Sequence, residues 1–166
     1  MRKSGVLLAL MTTAALSSCY FYEGPTPCPA IAQASVVSVT IPVSYVPQVA
    51  SLHLKACQDG ACKEDAVELR PGSVSVDQGC TPDGVCSATA SPDGTLTGML
   101  FLDSLTESPM TVTATGTSPG GQALPERTLE FRPRGAYPYG EQCGRFVTAS
   151  VVLDAEGLRE SPGTGF

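Results

Sequence analysis

The amino-acid sequence predicts an all-β domain: an antiparallel β-sandwich, immunoglobulin-like only in the loose sense and braced by disulfides, with a small β-barrel as the alternative. Three observations lead there. About nine short segments alternate apolar and polar residues at the two-residue period of a strand. Between them lie turn signals, Asp59-Gly60, Pro82-Asp83-Gly84, Pro92-Asp93-Gly94 and Pro119-Gly120-Gly121, in which Pro presets φ near about −65° or Gly accepts positive φ. No stretch of ten or more residues beyond the N-terminal segment keeps a helical period.

In chain order, the first alternating segment is Ser35–Tyr45, with Val37, Val39, Ile41, Val43 and Tyr45 on one face and Pro42 pointing to an edge strand. Val49–Cys57 follows, placing Ala50, Leu52, Leu54 and Ala56 inward and Ser51, His53 and Lys55 outward. Cys62–Arg70, Ser73–Asp77, Val85–Ala90, Thr95–Leu102, Met110–Gly116, Arg127–Arg132 and Arg145–Leu153 complete the set. That number of short strands suits a sandwich. The expected domain spans residues 35–160, and Pro162, Gly163 and Gly165 mark residues 161–166 as a disordered tail.

Ahead of the strands stands a targeting signal. Arg2 and Lys3 precede the mostly apolar Val6–Leu16, a run of eleven residues. Roughly 20 would be needed to span a bilayer, so residues 1–18 read as a signal peptide. The segment closes Leu16-Ser17-Ser18-Cys19, which resembles the bacterial lipobox. In such signals the cysteine thiol takes a diacylglyceryl group and becomes the new N-terminus. Cysteine parity supports this: seven cysteines are present, and assigning Cys19 to lipid leaves an even set for an oxidising compartment. Two acyl chains anchor stably, at about 0.8 kcal/mol per buried CH₂. Residues 19–34, with Gly24, Pro25, Pro27 and Pro29, read as the lipidated, extended tether.

The remaining cysteines are Cys28, Cys57, Cys62, Cys80, Cys86 and Cys143. Six cysteines allow about fifteen pairings, and spacing expresses only a preference. Cys57–Cys62 and Cys80–Cys86 each bracket a turn, which leaves Cys28–Cys143 to tie the start of the domain to the segment before its last strand. Closing so long a loop carries the largest chain-entropy effect, roughly 4–5 kcal/mol. Zinc is the competing reading. The intervening residues number four and five, against about two to four in zinc pairs, and export favours oxidation. No metal is expected, and no cofactor beyond the covalent lipid on Cys19.

Composition narrows the partners. With Arg2 and Lys3 removed, 8 basic residues face 16 acidic ones, net −8. Such a balance disfavours nucleic acid and anionic lipid headgroups as partners. The 42% hydrophobic content suits a packed core.

Catalytic motifs are scarce. His53, the one histidine, alternates to the solvent face. Gly116-Thr-Ser-Pro-Gly120 matches a nucleophile elbow in form, but Pro119 lacks the N–H that the oxyanion hole requires and no helix follows. Ser118 is therefore read as a turn residue. Asp59, Asp83 and Asp93 belong to turns, where Asp has a structural role. The segment that invites binding is Phe131–Cys143, with Arg132, Arg134, Tyr137 and Tyr139. Tyr and Arg offer large faces and hydrogen bonds at low ordering cost. The competing reading has this stretch covering a sheet edge with its tyrosines packed on the sandwich.

Together the lipobox, the Pro-rich tether and the stretches Tyr137-Pro-Tyr-Gly-Glu-Gln-Cys-Gly144 and Ala149–Leu158 resemble uncharacterised secreted lipoproteins of high-GC Gram-positive, actinobacterial-type bacteria. The resemblance implies an envelope location, on the outer face of the cytoplasmic membrane or in the outer membrane of a diderm, and carries no activity. The expected function is that of a membrane-anchored, non-catalytic binding or structural module for an envelope glycan or protein. The alternatives are a hydrolase using loop carboxylates and a small-ligand or solute binder.

Overall fold

The computed structural model describes residues 27–30 and 33–161. The expected leader, Cys19, most of the tether and residues 162–166 lie outside the described residues. Ten strands form: β1 Val36–Ile41, β2 Ser51–Gln58, β3 Ala61–Val67, β4 Arg70–Cys80, β5 Cys86–Phe101, β6 Met110–Thr117, β7 Arg127–Phe131, β8 Arg134–Ala136, β9 Phe146–Leu153 and β10 Leu158–Glu160. They make two sheets, one in the order β10-β9-β1-β5-β4 with β8 also paired to β9, the other β3-β2-β6-β7. This is the expected disulfide-braced sandwich; the sheets are separate, which removes the barrel alternative.

Alternation decides which side of each strand is dry. Val37, Val39 and Ile41 of β1, Leu52, Leu54 and Ala56 of β2, and Met110, Val112 and Ala114 of β6 are buried, and they pack with Leu100, Ala149, Val151 and Leu153. Each such side chain of valine size or larger contributes about 1.5–3 kcal/mol by leaving water. His53 and Lys55 face solvent as alternation requires.

Several boundaries differ from the sequence reading, each for a physical reason. β1 lies centrally between β5 and β9. Pro42 marks its end, where the Pro42 carbonyl accepts N–H bonds from Tyr45 and Val46 at 2.8 and 3.1 Å. Val43 is therefore exposed, and the 3-10 turn at Val46–Gln48 puts Val49 inside in place of Ala50. Cys62–Arg70 is not one strand: the chain leaves β3 at Val67 and crosses to the other sheet, so Arg70 begins β4. The crossing presses on Gly98, where Val67 Cγ1 and the Glu68 carbonyl occupy the space a Cβ would need. β1 also runs parallel to β9, Val37 opposite Ala149, the one parallel pair described. β8 and β10 are too short to show a period.

The largest difference concerns Val85–Ala90 and Thr95–Leu102, which are one continuous strand, β5. The Pro92-Asp93-Gly94 signal makes a bulge within it. Pairing steps from Pro71 opposite Leu96 to Ser73 opposite Pro92, so β5 carries extra residues there. Gly94 takes φ +79°, and Asp93 Oδ1 accepts from Thr95 N at 2.9 Å and Thr95 Oγ1 at 2.7 Å. Those two bonds hold the Asp93 carboxyl below its ordinary pKa, the hydroxyl contributing most.

Candidate functional site

The register fixes opposite ends of the sandwich. Val36 pairs Phe101 and Ile41 pairs Leu96, so β5 runs on past the C-terminal end of β1, with β4 as its only partner there among the described residues. Residues Ser73 to Ala90 are all exposed. They form a two-stranded arm that leaves the core, eight residues of β4 reaching about 25 Å at the ordinary strand rise. Val74 and Val76 share one face with their partners Ser91 and Thr89, while Ser75 and Asp77 share the other with Ala90 and Ala88. Val74 and Val76 are 52% and 42% exposed, and Val85 at the tip is 66% exposed.

A tight turn and a disulfide finish the arm. Thr81 N donates to the Val85 carbonyl at 2.8 Å and Gly84 N to the Thr81 carbonyl at 2.9 Å, beneath the Cys80–Cys86 bridge. A lone hairpin is marginal in water, so the cross-link restrains what packing does not. From Ser73 to Pro92 the only charges are Asp77 and Asp83. Exposed edges normally carry Lys, inward charges or a cover; both outer edges of this arm are left unpaired among the described residues.

The N-terminal end of the sandwich holds the Tyr/Arg segment. The Cys28–Cys143 bridge fastens the incoming chain to the loop before β9. Tyr139 meets Phe146 edge to face, with centroids 5.7 Å apart, and Arg145 lies 5.5 Å over the Tyr137 ring. Arg145 Nη2 donates to Glu107 Oε1 at 2.6 Å, and the same oxygen accepts from Gly135 N at 3.1 Å. Contact with Tyr137 first and Glu107 second makes the guanidinium more basic than usual. Arg134 Nε donates to Glu160 Oε1 at 2.6 Å. Arg132 is exposed and has no ion-pair partner among the described residues. The tyrosines are thus part packed and part open: Tyr137 is 43% and Tyr139 41% exposed. Arg145, Phe146 and Glu107, which brace this loop, were not singled out in the sequence because all three lie outside the Tyr/Arg stretch.

The other candidates take structural places. Ser118 closes the turn after β6: its N–H donates to the Gln122 carbonyl at 2.8 Å, and its Oγ accepts from Gln122 N at 3.3 Å. Asp59 takes φ +51° in the turn bridged by Cys57–Cys62, and its Oδ2 accepts from Thr106 Oγ1 at 3.0 Å. A cavity of about 390 Å³ opens between β3 and β5, bordered by Lys63, Asp65, Glu68, Met99 and Phe101.

Asp154 was missed because nothing in its local sequence announces burial. It is 8% exposed. Its Oδ1 accepts from the N–H groups of Glu156 and Gly157, both at 3.1 Å, and its Oδ2 from Arg159 Nε at 2.9 Å. Burial alone would raise its pKa; Arg159 and the two N–H donors together outweigh that and lower it. The carboxylate thereby closes the β9–β10 turn.

Comparisons with protein-family models, with curated proteins and with solved structures found no match.

Proposed function

We propose that the protein is an exported, lipid-anchored module of the cell envelope, non-catalytic, which presents the β4–β5 arm to an extended segment of a partner polypeptide. The arm carries this reading. It projects from the end of the sandwich opposite the one where the chain arrives, its strands carry a single charge, Asp77, and a disulfide holds its tip. Strand addition to an open edge draws affinity from main-chain hydrogen bonds and specificity from alternate side chains, and here Val74 and Val76 supply the apolar positions. A polypeptide offers the matching main-chain donors and acceptors, which a glycan does not. Cys19 supplies the anchor, and the three bridges suit an oxidising compartment.

A photo-reactive residue at Val76, in intact cells, should cross-link a discrete envelope polypeptide, and Val74→Lys should abolish the adduct without changing thermal unfolding. A photo-reactive residue at His53, on the core's solvent face, serves as comparison. Adducts of equal yield from both positions, or none from the arm, would refute the binding role. Cys19→Ser should move the protein to the aqueous fraction.

A further inference from the structure

We infer that the N-terminal end of the sandwich, where Tyr137, Tyr139, Arg132 and Arg145 stand beside the Cys28–Cys143 bridge, is a membrane-facing surface that rests on phospholipid headgroups. The inference rests on the lipid-anchor reading of Cys19 and goes beyond it by orienting the domain.

Chain length supplies the first argument. Eight residues lie between Cys19 and Cys28, so the nine steps from one to the other reach at most about 30 Å. Without the bridge, the tether would continue to Ser35 before meeting β1. With it, the chain is captured at Cys28 and bound to the 143 loop. The sandwich and arm together extend about 45 Å along β1 and β4, which exceeds the greatest reach of that segment. The end that holds Cys28 is therefore the end nearest the bilayer, and the arm points away from it.

Side-chain chemistry supplies the second. Tyrosine and arginine keep an apolar body at an interface while a polar tip reaches water or phosphate. Tyr137 and Tyr139 are both about two-fifths exposed yet held in place by Arg145 and Phe146. Three of the eight basic residues that follow the leader fall within Arg132–Arg145. Around this end Lys63 and those arginines stand against Asp59, Asp103, Glu107 and Glu141, with Glu160 held by Arg134. With Glu130, opposite Thr111 at the end of β7, four basic groups face six acidic ones, so this end is itself acidic but carries the smaller part of the net −8. An anionic leaflet repels the remainder of the molecule more strongly than this end, where Arg132 and Arg145 can reach phosphate.

The chain has no tryptophan, so one introduced reporter is unambiguous. The lipidated protein is reconstituted into phosphatidylcholine–phosphatidylglycerol vesicles that contain a lipid spin-labelled near the headgroup. Tyr137→Trp should be quenched at least twofold more than Val85→Trp at the arm tip. Tyr139→Trp is a second reporter should the first disturb folding. Protein that floats with the vesicles but shows equal quenching at both ends overturns the orientation while leaving the anchor standing. Protein that does not float overturns the anchor and the orientation with it.

Discussion

Removing the Cys28–Cys143 bridge should destabilise the domain more than any other disulfide change. The two residues lie 115 positions apart, and the loop-closure expression yields about 4.8 kcal/mol for a ring of that size at 25 °C. Neither cysteine belongs to the core: Cys28 is exposed and Cys143 half-buried. The double variant Cys28→Ser/Cys143→Ser thus loses little packing, and the effect acts on the unfolded chain, which gains freedom. Each kcal/mol moves the midpoint of a domain this size by about 4 °C, so thermal unfolding followed by circular dichroism should show a fall of roughly 15–20 °C. The folded spectrum should be unchanged. Cys80→Ser/Cys86→Ser is the internal comparison. Its ring is short, separation 6, worth about 2 kcal/mol, and it lies in an arm outside the core. That variant should keep the wild-type midpoint while hydrogen exchange and proteolysis accelerate between Ser73 and Pro92. The reasoning fails if the long bridge proves dispensable, or if loss of the arm bridge lowers the midpoint as much.

Asp154→Ala should cost about 1–3 kcal/mol, because Arg159 and two N–H groups lose their shared acceptor; urea unfolding measures it. The folded pKa of Asp154 is depressed, so its contribution is complete above the ordinary aspartate value of about 4 and vanishes as pH falls through the lowered folded value. The wild-type midpoint should accordingly drop on acidification below about pH 4 more steeply than that of Asp154→Asn. Gly98→Ala should destabilise by about 1–3 kcal/mol or more, since the new methyl meets Val67 and the Glu68 carbonyl. A denaturation midpoint equal to wild type would show that the β3–β4 crossing can give way.

Alternation along Val37–Ile41, Leu52–Ala56 and Met110–Ala114 was enough to name the buried faces, because a strand's two sides are set by its own residues and a period of two. The turn-bracketing cysteines were equally local: once Asp59-Gly60 and Pro82-Asp83-Gly84 reverse the chain, their flanking sulfurs are brought together. What stayed illegible was whatever depends on a distant partner. Pro92-Asp93-Gly94 has the chemistry of a turn, and only the pairing of Ser73–Asp77 with Ala88–Pro92 makes it a bulge in one long strand. Ser73–Val76 and Ala88–Ser91 alternate as well as any core strand, yet no second sheet lies over them, so their valines face water. Burial is a property of the space between two layers. The chain alone established strand periods and reversals, and led to the expectation of export and cross-linking. The tertiary structure alone decided which strands share a layer, which pair stands outside it, and that Tyr137, Tyr139 and Arg145 gather at the end that the Cys28–Cys143 bridge fastens.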